Sequence, residues 1–97
     1  MNFEIVWSPR ALRRLNAIRM FVAQDKPVAA ESLALRILNA ADALKQHPSL
    51  GRRGPNSGLR QLIVAGTPYT MVYRVHAQRV VIATIWHAAQ RKKGITK

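Results

Sequence analysis

Between Leu59 and Gln90 the chain reads LRQLIVAGTPYTMVYRVHAQRVVIATIWHAAQ, three β-type runs joined by short turns. Runs rich in Val, Ile, Thr and Tyr and bounded by turn residues form a meander. It is expected as Leu59 to Val64, Tyr69 to Val75 and Arg79 to Trp86, with turns at Ala65 to Pro68 and His76 to Gln78. The segment carries Arg60, Arg74, Arg79 and His87 but no Asp or Glu. Its cations lack local carboxylate partners, so they are expected to face an outside anion, either phosphate or an acidic protein.

What precedes the meander has a different period. Asn2 to Trp7 sets Phe3, Ile5 and Trp7 against Asn2, Glu4 and Val6, an alternation that reads as a short strand with one buried face. Ser8 can cap a helix through its hydroxyl, and Pro9 suits the first helical position because its missing N–H costs nothing there. Leu12, Leu15, Ile18 and Val22 then form a stripe to about Gln24, with Arg10, Arg13, Arg14 and Arg19 on the remaining surface. A second helix is expected with Asp25 as its cap and Ala30, Leu33, Ile37, Ala41 and Leu44 as its stripe, ending before His47 and Pro48. The short connection folds the pair into an αα-hairpin. Residues 48–58, PSLGRRGPNSG, hold three Gly and two Pro and predict a mobile basic loop without regular structure.

The order is therefore β-α-α-β-β-β, an α+β fold in which the N-terminal strand and the helical hairpin pack on an antiparallel sheet. At 97 residues it forms one domain over 1–97, with 88–97 as a frayed basic tail. The net charge of +12 is uneven. Residues 1–47 hold seven Lys/Arg and all four acids, whereas residues 48–97 hold nine Lys/Arg and none, so the second half carries +9. The absence of Cys removes disulfides and thiolate metal sites. Scattered carboxylates and three separated His give no acid/base pair and no metal-ligand spacing, so neither metal nor cofactor is expected. No basic-then-apolar leader and no long apolar run is present, which predicts a soluble cytoplasmic protein outside the membrane.

PSLGRR before the meander, Leu59 and Arg60 opening its first strand, TPYTMVYRV through the next and IWHAAQ closing the last together resemble the RelE/ParE superfamily of bacterial toxins. The resemblance covers nearly the whole chain. It implies the toxic half of a type II toxin–antitoxin pair, whose ParE-like members inhibit DNA gyrase and whose RelE-like members cut mRNA on the ribosome without a metal. It also implies a cognate antitoxin, acidic at its toxin-binding end, that folds across the sheet and helices. The residues expected to meet antitoxin or target are Arg52, Arg53, Arg60, Arg74, Arg79, Arg91, Lys92 and Lys93.

The same scaffold supports an enzyme and a non-enzyme, so individual residues must decide between them. Many nuclease members place an Arg three residues before the Tyr of the hVY signature; here that position is Thr70. The usual C-terminal Tyr is also missing, since AAQRKKGITK follows His87. A nuclease reading would use Arg60 and Arg74 to hold phosphate and His87 as acid or base. The plainer readings are surface solubility for the two Arg, a backbone hydrogen bond for His87, capping or solvation for His47 and His76, and core packing for Trp7, Trp86, Tyr69 and Tyr73. These signs favour a ParE-like gyrase inhibitor, with a RelE-like endoribonuclease second and a small basic nucleic-acid-binding module third.

Overall fold

The computed structural model describes residues 2–54 and 58–89. Its elements are β1 (Glu4–Trp7), α1 (Pro9–Ala23), α2 (Pro27–Ala43), β2 (Arg52–Arg53), β3 (Leu59–Ile63), β4 (Tyr69–His76) and β5 (Arg79–His87). The sheet order is β1-β5-β4-β3-β2. The expected α+β order holds with the short strand β2 added ahead of the meander, and the sheet is mixed rather than antiparallel, because β1 runs parallel to β5 while the other pairs are antiparallel. Two helices and a meander separate β1 from β5 in sequence, and only such a long connection can bring the chain back alongside in the same direction.

Helix α1 starts where Ser8 and Pro9 direct it. The Ser8 hydroxyl accepts the Ala11 amide at 3.0 Å and donates to the Ala83 carbonyl at 2.9 Å. That second bond has a structural cause. Val72 faces Thr84 while Tyr73 faces Ile82, so Ala83 is the extra residue of a bulge in β5. The bulge shifts the phase of VVIATIWH so that Val80, Ile82 and Ile85 all reach the core. Ser8 satisfies the displaced carbonyl and ties helix to sheet. Arg14 adds a second tie, its Nε donating to the Ile85 carbonyl at 3.1 Å. Ser8→Ala removes the cap and strands the Ala83 carbonyl, an expected loss of about 1–2 kcal/mol in chemical denaturation.

The core joins Ala11, Leu15 and Ile18 of α1 and Ala34, Ile37 and Ala41 of α2 to Tyr69, Met71, Tyr73, Val80, Ile82 and Ile85. On α1, Ala11 rather than Leu12 completes the buried stripe. On α2, Ala34 is buried where Leu33 is only half-buried, since small side chains let α2 approach its neighbours closely. Asp25 is not the cap of α2. That position belongs to Lys26, which makes no side-chain cap bond, and the helix begins on Pro27.

The basic stretch 48–58 is also more ordered than its Gly and Pro content predicts. Arg52 and Arg53 form the edge strand β2, opposite Gln61 and Arg60, and the Gly54 amide closes the turn onto the Leu59 carbonyl at 2.9 Å. The mobility expected around Pro55 to Ser57 lies outside the described residues, as does the tail from Gln90 onward. Ala88 and Ala89, assigned to that frayed tail by the sequence, are instead held. The Ala88 amide donates to the Pro68 carbonyl and the Ala89 amide to His87 Nδ1.

Candidate functional site

The basic edge rests on a buried phenol. Tyr73 is fully buried, its Oη donating to the Pro48 carbonyl at 2.7 Å and accepting the Gly51 amide at 2.8 Å. Arg60 completes the lock, with Nη1 donating to the Gly51 carbonyl at 2.8 Å and the Ser49 carbonyl at 3.4 Å. Gly51 leaves no room for a side chain, because a Cβ there would stand 2.7 Å from both Cε1 and Oη of Tyr73. Burial pushes the Tyr73 phenol above its ordinary 10.0, while the Gly51 amide and the Arg60 charge pull it back. The segment just before β2 is thus fastened at four carbonyl and amide groups, and β2 presents exposed Arg52 and Arg53 from a fixed base.

Side chains directly opposite one another in a ladder share a face. Tyr69, Met71 and Tyr73 lie on the helix-covered face, so Arg60, opposite Tyr73, and His87, opposite Tyr69, belong to that face as well. Arg74, opposite Leu59 and Val81, stands on the other face and is exposed. His87 packs edge-on against the Tyr69 ring, centroids 5.2 Å apart, with Nδ1 accepting the Ala89 amide at 3.1 Å. Tyr69 and Tyr73 are four residues apart on β4, so Arg60 and His87 are offset by about 13 Å along the strand direction alone. The three residues of the nuclease reading thus stand on two faces of the sheet, with Arg60 and His87 at opposite ends of the Tyr69–Tyr73 stretch.

Arg79 has the internal partner that the meander could not supply. Its Nε lies 3.3 Å from Glu4 Oε1, a carboxylate brought in by β1. Arg91, Lys92 and Lys93 lie outside the described residues. Thr70, at the position where many nucleases carry Arg, is buried opposite Ile63 and Trp86. Of the aromatic residues, Tyr69 and Tyr73 are core, while Trp7 is half-buried against it. Sequence reasoning missed the lock itself. Its signal was Gly51 immediately before the Arg pair together with the Tyr of TMVY, two small cues separated by a loop.

Among the described residues no cluster of His, Asp and Glu could hold a metal, and no helix is long and apolar enough to cross a membrane. A strand, a helical hairpin and a basic meander with a tied-down cationic edge define the class as a RelE/ParE-type toxin scaffold. Residues 5–92 match the family described as the ParE toxin of the type II toxin–antitoxin system parDE. The chain is similar to toxin RelE2 of Caulobacter vibrioides, 42% identical over 87 residues, covering 90% of this chain and 97% of that one. It is also similar to the candidate toxin Y4kP of Sinorhizobium fredii, 41% identical over 88 residues and 91% of each chain. The fold matches a chain of the chromosomal ParDE system from P. aeruginosa with TM-score 0.81 at 23% identity, covering 88% of this chain and 95% of that one. The chain belongs to the ParE toxin family of type II toxin–antitoxin systems.

Proposed function

We propose that this toxin arrests bacterial growth in the cytoplasm by binding and inhibiting DNA gyrase, without itself cutting RNA, and that a cognate antitoxin with an acidic toxin-binding segment neutralises it. The observation that carries the reading is the dispersal of the groups a metal-free nuclease needs. Acid, base and phosphate clamp must lie within hydrogen-bond reach of one ribose and its phosphate. Here Arg60 spends its Nη1 on loop carbonyls, His87 is offset by about 13 Å along β4, and Arg74 is on the opposite face. A target-binding toxin needs only a fixed, charged surface, which β2 with Arg52 and Arg53 and the exposed end of β4 at Arg74 offer. The match to the ParE family supports the same reading.

The likeness to RelE2 supports a second reading, ribosome-dependent mRNA cleavage with Arg60 and Arg74 on phosphate and His87 as acid or base. Induced expression separates the two. The gyrase reading predicts growth arrest with DNA breaks and SOS induction, intact translated mRNA, and undiminished arrest by His87→Ala. In-frame mRNA cuts that disappear in His87→Ala would overturn it in favour of the nuclease.

A further inference from the structure

The three most exposed large apolar side chains among the described residues are Val28 at 84%, Phe21 at 72% and Met20 at 69%. All three flank the connection between α1 and α2. The neighbouring Ile18 and Ala30 go to the core, so the hairpin leaves these three uncovered. A cluster of exposed apolar side chains marks a surface that meets something apolar. Exposure this high also means that they protrude rather than line a groove. The connection lies at the far end of the hairpin from β1, which leads directly into α1 and whose preceding residue, Phe3, gives its amide to the Lys45 carbonyl just past α2.

At about 100° per residue, Arg10, Arg13, Ala17, Met20 and Phe21 fall within one sector of α1, turned away from the buried Ala11, Leu15 and Ile18. All five are exposed. The face is cationic in its first two turns and apolar in its last, with the small Ala17 between, and Arg13 and Met20 are about 10 Å apart along the axis. Arg14 stands at the border of the face, half-buried, with its Nε on the Ile85 carbonyl.

Residues 9–45 carry seven Lys/Arg and three acids, a net +4. Arg19 lies 3.8 Å from Glu31 and Lys45 2.8 Å from Asp42, while Asp25 adjoins Lys26 in the connection. The excess is therefore Arg10, Arg13, Arg14 and Arg36, and Arg36 stands on α2 with Nη1 on the Ala65 carbonyl. Three of the four excess charges thus sit in the first two turns of α1, and no carboxylate of the described residues pairs with Arg10 or Arg13. Uncompensated cations and the most exposed apolar side chains share one helix face.

The occupant of such a face must supply both anions and an apolar layer to a protruding surface. A nucleic acid supplies phosphate but leaves Met20 and Val28 in water. A second copy of a chain of net +12 brings more cations. An acidic amphipathic peptide needs a groove for its own apolar side, which a protruding face lacks. An anionic bilayer presents a plane of phosphates above an acyl boundary, takes protruding side chains without a preformed groove, and buries them by about 5–10 Å. We propose that this toxin docks peripherally on an anionic phospholipid surface through α1, with Arg10 and Arg13 among the lipid phosphates and Met20, Phe21 and Val28 at the acyl boundary. Charge draws the chain to the surface and apolar burial holds it there, two signals that together give reversible attachment.

Co-sedimentation of the purified chain with vesicles of phosphatidylglycerol and phosphatidylethanolamine in equal parts, at about 0.15 M salt where distant charges are screened, tests the docking. The chain is expected to pellet with these vesicles and to stay in solution with phosphatidylcholine alone. Met20→Gln with Phe21→Gln keeps the net charge and two exposed helix positions, and is expected to weaken partition by roughly tenfold or more. Ile63→Gln, a comparably exposed apolar control on β3, leaves partition unchanged. Arg10→Gln and Arg13→Gln each weaken it by roughly fivefold. Circular dichroism confirms that each variant is folded. Absence of binding to the anionic vesicles overturns the proposal. So does binding undiminished in the Met20→Gln, Phe21→Gln variant, which reduces the attraction to net charge alone. A double variant that keeps vesicle binding but loses binding to duplex DNA or to gyrase gives the face to that partner and overturns it too.

Discussion

Replacing Tyr73 by Phe lowers the unfolding free energy by about 1–3 kcal/mol, more than a typical neutral hydrogen bond contributes. The reason is that the ring stays and only the Oη leaves, so core packing is kept while the Gly51 amide and the Pro48 carbonyl lose their partner inside the fold. Leaving a buried donor and acceptor unmade costs more than the net worth of the bond they shared. The segment that carries β2 loosens with it, because Arg60 alone then holds the Gly51 carbonyl.

The wild-type phenol gives the same lock a pH dependence. Its folded value is raised above 10.0, so the folded state keeps its proton where the unfolded state has lost it. The stability from this group is fully present below 10.0 and is lost as pH climbs from there through the raised folded value. Denaturation series at rising pH should show this alkaline loss in the wild type and not in Tyr73→Phe. A Tyr73→Phe variant as stable as the parent would mean that the phenol does not hold the loop.

Reversing the charge of the edge strand, Arg52→Glu with Arg53→Glu, is expected to weaken binding of the proposed acidic antitoxin segment by roughly tenfold at low salt. An exposed charge pair is worth about 0.2–1 kcal/mol. Two reversals replace attraction by repulsion at two places, which amounts to about four such increments, about 0.8–4 kcal/mol, a span whose middle exceeds the roughly 1.4 kcal/mol of a tenfold change. The fold is kept, since β2 is joined to β3 through its backbone and both side chains are exposed. Salt narrows the difference as the screening length drops from about 10 Å at 0.1 M to about 3 Å at 1 M. Calorimetric titration with the antitoxin segment measures it. Equal affinity of parent and variant would remove the basic edge from the antitoxin interface.

Local signals were legible in the sequence and long-range ones were not. Ser8 and Pro9 marked the start of α1 because a cap is a property of four adjacent residues, and the meander was legible because each strand is bounded by its own turn. The parallel addition of β1 was hidden, since nothing within Asn2 to Trp7 encodes the partner 75 positions away, and with it the Glu4–Arg79 pair was hidden too. Gly and Pro counts in 48–58 obscured β2, whose order comes from Tyr73 and Arg60, two residues outside the loop. Arg60 illustrates the limit most directly. Its type and place suggested a phosphate clamp, and the fold adds what they did not suggest, bonds from its Nη1 to the Ser49 and Gly51 carbonyls. The ladder phase likewise separates Arg74 from Arg60 by a face, a fact fixed by pairing register rather than by residue type.

The measurement closest to the central claim mixes the purified chain with purified DNA gyrase, relaxed plasmid and ATP, and in parallel with ribosomes programmed with mRNA. Supercoiling is expected to be lost as the chain saturates gyrase, with the message left intact and His87→Ala acting like the parent. Undiminished supercoiling at saturating chain, together with cuts in the translated message, would contradict it.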